Sequence, residues 1–491
     1  MVGGAFHRSY CFKFALAAAL LVVIAAVRLP FITNILAGEG GDFAALVLND
    51  PPTSALDPDH LPRQIAGSVD GKLILSSFHR TVMPYIILER LGRLFAPRHA
   101  LGRLPPKKLT IAARLPFAII FLLGSAGLIA LTVQAAASAG KPRSAIAIAP
   151  LGVTLWSLTT PLAVGASLEP QIDGSVGVLL LGTAATLLAV GHIEPSGARW
   201  RFLAAGVLCG LGKHEWALAF AAAALGTAAI SLLLSSARRP AALAFVAFFI
   251  GLVAAVALAY AISPDDYRQG LEVMANFYSI TGGELWALEP PQWPLTLPVF
   301  ALVAVDGVFL TIVLRPLLPT APGLFVAYLG ATAIAAGYTA SGWSGDNFPR
   351  YFAPALVILT IVFVALCTRF RDSIAPAIGW TAVAAALLGG AASYLFLAAS
   401  YHSKVAVAEF RGTPLAQLEN DVATAANLAR DSRDSHGNGI VITQTTTWIY
   451  HPGINYIWAT KSYAENYLAA HFPAFKDRLV LPPGMPAVMY Q

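Results

Sequence analysis

Charge is what this sequence has least of. Asp, Glu, Lys and Arg together make up 12% of its 491 residues, about half of what an ordinary globular chain carries. With 57% hydrophobic residues and a mean hydropathy of +0.67, a chain that is water-soluble throughout is excluded. Cysteine is nearly missing too. Cys11, Cys209 and Cys367 lie in or beside apolar segments with no paired spacing, which argues against a disulfide framework and against a zinc site. The formal charge is +6, but the Lys and Arg residues are scattered between apolar runs and not clustered with aromatics. A nucleic-acid partner is therefore not expected. There is no solenoid-type period and no long low-complexity tract.

What the chain does have is apolar runs long enough for a bilayer, which takes about 20 residues per helix. The first, residues 14–36, follows Arg8 and Lys13 and reads as an uncleaved helix rather than a signal peptide, because many further spans follow. Later spans are expected at 115–137, 144–162, 172–190, 241–262, 295–314, 323–338, 352–368 and 374–399. Residues 202–234 are too long for one crossing, and Arg201 and Arg238-Arg239 ask for both ends on one side. They are expected to fold as a hairpin with Gly212-Lys213-His214-Glu215 at its turn. That makes about 11 spans. The short loops on one side are basic, which places the N-terminus in the cytoplasm.

The polar stretches fall on the opposite side. Residues 38–113 form a large first external loop, in which 83–95 has an amphipathic pattern suited to lying in the membrane surface. Residues 402–491 are of ordinary polarity. Thr413-Pro414 has the form of a helix start, and 440–446 has the β-branched character of a strand. The expected organisation is an all-α polytopic membrane module, residues 1–401, followed by a small external α/β domain.

Five external turns carry candidate chemistry: Glu39 and Asp42 among glycines; Glu169 and Asp173; Lys213, His214 and Glu215; a loop ending in Pro290-Pro291-Gln292-Trp293-Pro294; and Asp346 with Arg350 and Tyr351. Polar groups gathered at a membrane surface suggest a site. Each also has a structural reading. Glu39 and Asp42 suit loop capping, and Glu169 and Asp173 suit a helix N-terminus. Lys213 suits a pair with Glu215, and Arg350 suits contact with lipid headgroups. His60, His79 and His214 read as hydrogen-bonded polar residues more readily than as metal ligands.

Taken in order, Gly38-Glu39-Gly40-Gly41-Asp42-Phe43, Ala113-Arg114-Leu115-Pro116, the turn at 169–173, Gly210-Leu211-Gly212-Lys213, the Pro/Trp loop and Arg350-Tyr351-Phe352-Ala353-Pro354 resemble the GT-C glycosyltransferases. These enzymes use polyprenyl-phosphate-linked sugars, and the resemblance is especially to the branch of the protein O-mannosyltransferases and lipid A aminoarabinose transferases. Many members carry adjacent Asp-Glu in the first motif, whereas Glu39 and Asp42 are separated here. The resemblance implies sugar transfer, often with inversion, from a polyprenyl phosphate sugar to an envelope lipid, glycan or protein at the periplasmic face of a bacterial inner membrane. Some members need a divalent metal. Asp42, or else Glu39, would be the base. Lys213, Arg350 and His214 would hold the donor phosphate. Glu169, Asp173, Glu215, Trp293, Asp346 and Tyr351 would line the substrate site. Two other classes fit the same polar turns: a glycolipid transporter or flippase, and a non-catalytic scaffold that binds a lipid-linked sugar.

Overall fold

A computed structural model describes residues 2–29, 32, 34–35, 67–69, 72–74, 106–138, 144–159, 163, 167, 172–190, 198–234, 238–262, 264, 314, 317–318, 321–340, 348–369, 413–414, 440–443, 455–458 and 479–480. Within these the architecture is a helical bundle. Four of its helices are long and apolar enough to cross a membrane: 10–28, 114–137, 214–233 and 241–262. Three shorter apolar helices, 174–190, 322–335 and 353–368, pack among them. The chain thus has the helical, membrane-type architecture its composition calls for.

The first helix, α1 (Val2–Arg28), corrects an expectation. It does not run to residue 36 but stops at Arg28, and Asn34–Ile35 form a short strand, β1. Pro30 explains the stop, because a proline disfavours helical backbone at the residue before it and lacks the N–H to continue the ladder. The second helix, α2 (Pro106–Ser138), starts earlier than residue 115. It opens on a proline at the position where the missing N–H costs nothing. The two helices are antiparallel: Lys13 Nζ donates to Gln134 Oε1 (3.1 Å) near one end, and Arg114 Nη1 donates to the Ile32 carbonyl (3.0 Å) near the other. Helix α3 (Ser144–Thr159) returns beside α2, with Thr132 and Thr154 sharing a 2.7 Å hydroxyl contact.

The next span opens in π-helix, Ile172–Val176 and Val178–Gly182, before settling into α4 (Thr183–Val190). It runs parallel to α2 at backbone contact. A Cβ on Gly124 would sit 2.5 Å from the Leu179 nitrogen, and one on Gly127 would overlap the Thr186 hydroxyl.

The interruption expected within 202–234 is present. Helix α5 (Ala198–Gly210) ends, residues 211–213 are non-helical, and α6 (His214–Leu234) begins. Helix α7 (Arg238–Ile262) then packs on α5. Gly206 meets Phe248, Gly251 meets Leu203, and Gly210 meets Leu252 and Ala255, so α5 and α7 run parallel. Two parallel helices flanking α6 require α6 to run back, which is the hairpin course read from the sequence. The seam is a Gly-x-x-x-Gly on α5 against Gly251-x-x-x-Ala255 on α7, the small-residue pattern that lets membrane helices approach closely.

Helices α8 (Pro322–Ala340) and α9 (Phe348–Arg369) close the described bundle. Gly323 touches Leu188, Gly330 packs on the Phe220 ring, and Gly182 lies near Val357. The core is aromatic, with Phe117, Phe121, Phe202, Trp216, Phe220, Phe248 and Tyr328 buried. Large apolar side chains such as Leu218, Leu225 and Leu233 on α6, and Val246, Ile250 and Val253 on α7, face outward. Such stripes are costly in water and natural against lipid.

Outside the bundle are short strands. Gly67–Val69 (β2) pairs antiparallel with Lys72–Ile74 (β3) across Asp70-Gly71. That dipeptide is a strong hairpin signal, passed over in the reading of 38–113 as a loop with surface helices. Thr413–Pro414 does not open a helix. It forms β4 and pairs antiparallel with β1, Ile35 opposite Thr413. A proline there needs no ladder N–H, as at a sheet edge. The strand expected at 440–446 is β5 (Ile440–Thr443), central in a parallel sheet with β6 (Asn455–Trp458) and β7 (Leu479–Val480). The surface helix read at 83–95 and the spans read at 295–314 (save Leu314) and 374–399 lie outside the described residues.

Candidate polar site at one end of the bundle

The break between α5 and α6 is built from its glycines. The Leu211 amide still bonds Val207 O (2.9 Å), but Gly212 tightens to Cys209 O (3.2 Å), and the ladder restarts with Ala217 N on Lys213 O (3.0 Å). Lys213 is therefore the residue that hands the chain to α6, with Glu215 in the first turn. An acid is favourable at that position and a cation is not, because the helix N-terminus carries partial positive charge. Lys213 nevertheless stands there 3% exposed, its Nζ 5.7 Å from the centre of the Trp216 ring. His214 and Glu215 are half-buried.

Trp216 ties this break to two other elements. Its Cη2 and Cζ2 edge lies against Gly177 of the π-helical segment, its Cε3 edge lies against Gly212, and Pro354 of α9 shares the Gly177 contact. Asp173 is one turn before Gly177 and Arg350 one turn before Pro354, about 6 Å along each axis. Three of the five turns singled out from the sequence, those of Asp173, of Lys213 to Glu215, and of Arg350 and Tyr351, are thus brought to one place by backbone. Asp173, Arg350 and Tyr351 are described as helical backbone only. Glu39, Asp42, Glu169, Trp293 and Asp346 lie outside the described residues.

A second buried group sits at the same end, where α1 gives way to the residues leading to Glu39 and Asp42. Arg28 is 3% exposed. Its Nε donates to Ser167 Oγ (2.6 Å), Nη2 to Leu158 O (2.9 Å) and Nη1 to Ile24 O (3.3 Å), and the guanidinium stacks 4.3 Å over Phe121. All three acceptors are neutral. Arg114, at 0% exposure, holds the Ile32 carbonyl. Sequence reasoning did not select Arg28, Ser167 or Trp216. The signal for Arg28 was a charge closing an apolar run just before a proline, and it went unused because the helix was carried through to 36.

Comparison with family models, curated proteins and solved structures finds no match. The site must therefore be judged on its own chemistry. Among the described residues, the buried charged side chains are Arg28, Arg114 and Lys213. All are cations, and all stand at the end of the bundle where α1 stops, α2 starts and α6 starts. Burying a charge costs several kcal/mol unless something of opposite sign is supplied, and inside a membrane such residues mark function by default. Among the described residues no group of three His, Cys, Asp or Glu could hold a metal ion.

Proposed function

We propose that this chain is an integral membrane glycosyltransferase of GT-C type. It moves a sugar from a polyprenyl phosphate donor to a hydroxyl of an envelope lipid, glycan or protein at the periplasmic face. The observation that carries this reading is the burial of three cations, Arg28, Arg114 and Lys213, at one end of an apolar bundle. A lipid-borne phosphate is an anion such a cationic site would take, and its isoprenoid tail enters from the bilayer. The resemblance of the polar stretches to the GT-C pattern is the second support.

In this reaction the acceptor oxygen attacks the anomeric carbon from the face opposite the phosphate. The new C–O bond forms as the bond to the phosphate oxygen breaks, and polyprenyl phosphate leaves with the electron pair. Inversion follows from that in-line geometry. The hydroxyl proton passes to a carboxylate, Asp42 first and Glu39 second, a step typically worth 10²–10⁴ in rate. Charge gathering on the leaving phosphate is met by Lys213 and Arg350, with His214 beside them, in a site where water is scarce and such charges act strongly.

The non-helical residues 211–213 with Lys213 inside the bundle also suit a transporter built on broken helices. Turnover separates the two. The purified protein is incubated with polyprenyl phosphate sugars and candidate acceptors, and free polyprenyl phosphate is measured. The transferase reading expects acceptor-dependent release that falls at least a hundredfold in Asp42→Asn. Release unchanged in Asp42→Asn removes Asp42 as the base, and sugar crossing the membrane without release makes the chain a transporter.

A further inference from the structure

The end of the α5–α7 pair away from Lys213 gathers positive charge. Helix α5 opens Ala198-Arg199-Trp200-Arg201, and α7 opens Arg238-Arg239-Pro240. The two helices are parallel and meet at backbone, and the Phe202 ring packs edge to face on Phe245 with centres 5.8 Å apart. Both starts therefore come to the same end of the bundle. Arg199 is in helical register with Gly206 and Gly210, so it lies on the row of α5 that faces α7. Arg238 is in register with Phe245 and Leu252, so it lies on the row of α7 that faces α5. With Phe202 beside Phe245, Arg199 is level with Ala242, one turn or about 6 Å along the axis from Arg238. Two arginines thus stand at the mouth of the glycine seam, with Arg239 next to them.

Arg201 has a structural task. Its Nη1 donates to the Val190 carbonyl at the end of α4 (3.5 Å), and its guanidinium lies 5.8 Å from the centre of the Trp200 ring. Arg199 is exposed, and among the described residues no hydrogen bond or ion pair holds it. Neither helix has an acid in its first turn. Of the two carboxylates in the sequence between α4 and α7, Glu215 belongs to the Lys213 end, and Glu194 of the α4–α5 connection lies outside the described residues. Even a full pair with Glu194 leaves three of these four arginines without an acid from this stretch. Cations are disfavoured at a helix start by its positive end, and these are disfavoured by one another as well. An external anion relieves both. The surface one turn deeper says which kind. Trp200 is 55% exposed, and tryptophan is favoured where a membrane meets water. Leu203, one turn from Arg199, and Leu243, one turn from Arg239, are exposed, as is Val246 beyond. Each helix therefore carries an arginine at its rim and a bare apolar side chain deeper on the same face. That order matches a phospholipid, headgroup first and acyl chains after, whereas a soluble anion has no use for the lower half.

We propose that Arg199, Arg238 and Arg239, with Trp200 at the rim, form a binding site for the phosphate headgroup of an acidic membrane phospholipid. Basic clusters between membrane helices recognise such headgroups, and arginine grips phosphate with two parallel N–H bonds. On the orientation read from the sequence, the site faces the cytoplasm. It is separate from the polar end at Lys213 and does not depend on the transferase reading.

The test titrates the purified full chain, in uncharged detergent micelles, with three probes: short-chain phosphatidylglycerol, phosphatidylcholine with the same chains, and glycerol phosphate, which keeps the charge and lacks the chains. A basic residue beside an anionic lipid is worth roughly fivefold in binding. Phosphatidylglycerol is expected to bind the parent at least tenfold more tightly than either other probe. The triple variant Arg199→Gln, Arg238→Gln, Arg239→Gln is expected to lose at least tenfold for phosphatidylglycerol and to keep the parent's affinity for phosphatidylcholine. Removing these charges also weakens the signal that orients the helices. A second triple variant, Arg199→Lys, Arg238→Lys, Arg239→Lys, therefore keeps that signal and gives up only the two-pronged grip on phosphate; it is expected to bind phosphatidylglycerol several-fold more weakly. Equal affinity of the parent for phosphatidylglycerol and phosphatidylcholine overturns the site, as does parent-like phosphatidylglycerol binding in both variants. Glycerol phosphate bound as tightly as phosphatidylglycerol makes the partner a soluble anion and overturns the lipid assignment.

Discussion

The glycine seam between α5 and α7 makes a quantitative prediction. A Cβ on Gly210 would lie 2.7 Å from the Leu252 carbonyl oxygen, where ordinary contact begins at 3.4 Å. Gly206 and Gly251 are tighter still, against the carbonyls of Phe248 and Leu203. The obstacle in each case is backbone, so no rotamer change relieves it. The helices must part by about 0.7 Å at Gly210 and by more at the other two. A radial gap of about 0.5–1 Å forfeits a quarter to a half of the dispersion energy across a contact, and overpacking of this kind costs about 1–3 kcal/mol. Gly206→Ala is therefore expected to lose about 1–3 kcal/mol, even though alanine is intrinsically the better helix residue by about 1 kcal/mol.

The same substitution at Gly226 of α6 or Gly152 of α3 meets nothing within 4 Å, so only the helix preference acts and the expected change is neutral or stabilising. The contrast in sign is the test, read as midpoints of thermal or denaturant unfolding in one detergent. Combining Gly206→Ala with Gly251→Ala should cost less than the two alone added together, because helices already parted by the first Cβ have room for the second. If Gly206→Ala matches Gly226→Ala in stability, the close parallel seam is wrong, and with it the course of α6 between its neighbours.

Two further outcomes follow from named contacts. Arg28→Lys keeps the charge but cannot reach Ser167 Oγ and Leu158 O together or stack flat on Phe121. It should lower stability by about 1–3 kcal/mol, and stability equal to the parent's would remove Arg28 as the clamp between α1, α2 and α3. Ile35 and Thr413 are register partners, and Cα atoms so paired lie about 4.5–5.5 Å apart, within disulfide range. The double variant Ile35→Cys, Thr413→Cys should cross-link under mild oxidation, while Ile35→Cys with a cysteine at Tyr456 should not. Failure of the first pair would detach β4 from β1.

What was legible in the sequence was whatever depends on composition along the chain. Length and hydropathy were enough to place α2, α3, the π-helical span with α4, and helices α6 to α9. Gly210-Leu211-Gly212-Lys213 inside a run too long for one crossing was enough to predict the break. What escaped depends on partners far apart in sequence. The register of β1 with β4 joins residues 34 and 414, and no local pattern announces it. Thr413-Pro414 has a helix-start signature of its own, which the pairing overrides. Arg28 was hidden because its three acceptors are backbone and hydroxyl oxygens scattered from Ile24 to Ser167, and an arginine at the end of a span ordinarily reads as reaching for headgroups.

Lys213 was selected because Gly-Leu-Gly-Lys is a visible pattern, Arg28 was overlooked because it has none, and the bundle buries both to the same degree at the same end. Burial of a full charge is expensive whichever residue bears it, and Lys213 carries the added penalty of standing at the positive end of a helix. Helix packing alone would favour a neutral side chain of similar volume at either position. Cations kept there against that cost suit a site that takes an anion, which is what the proposed lipid-phosphate donor would bring.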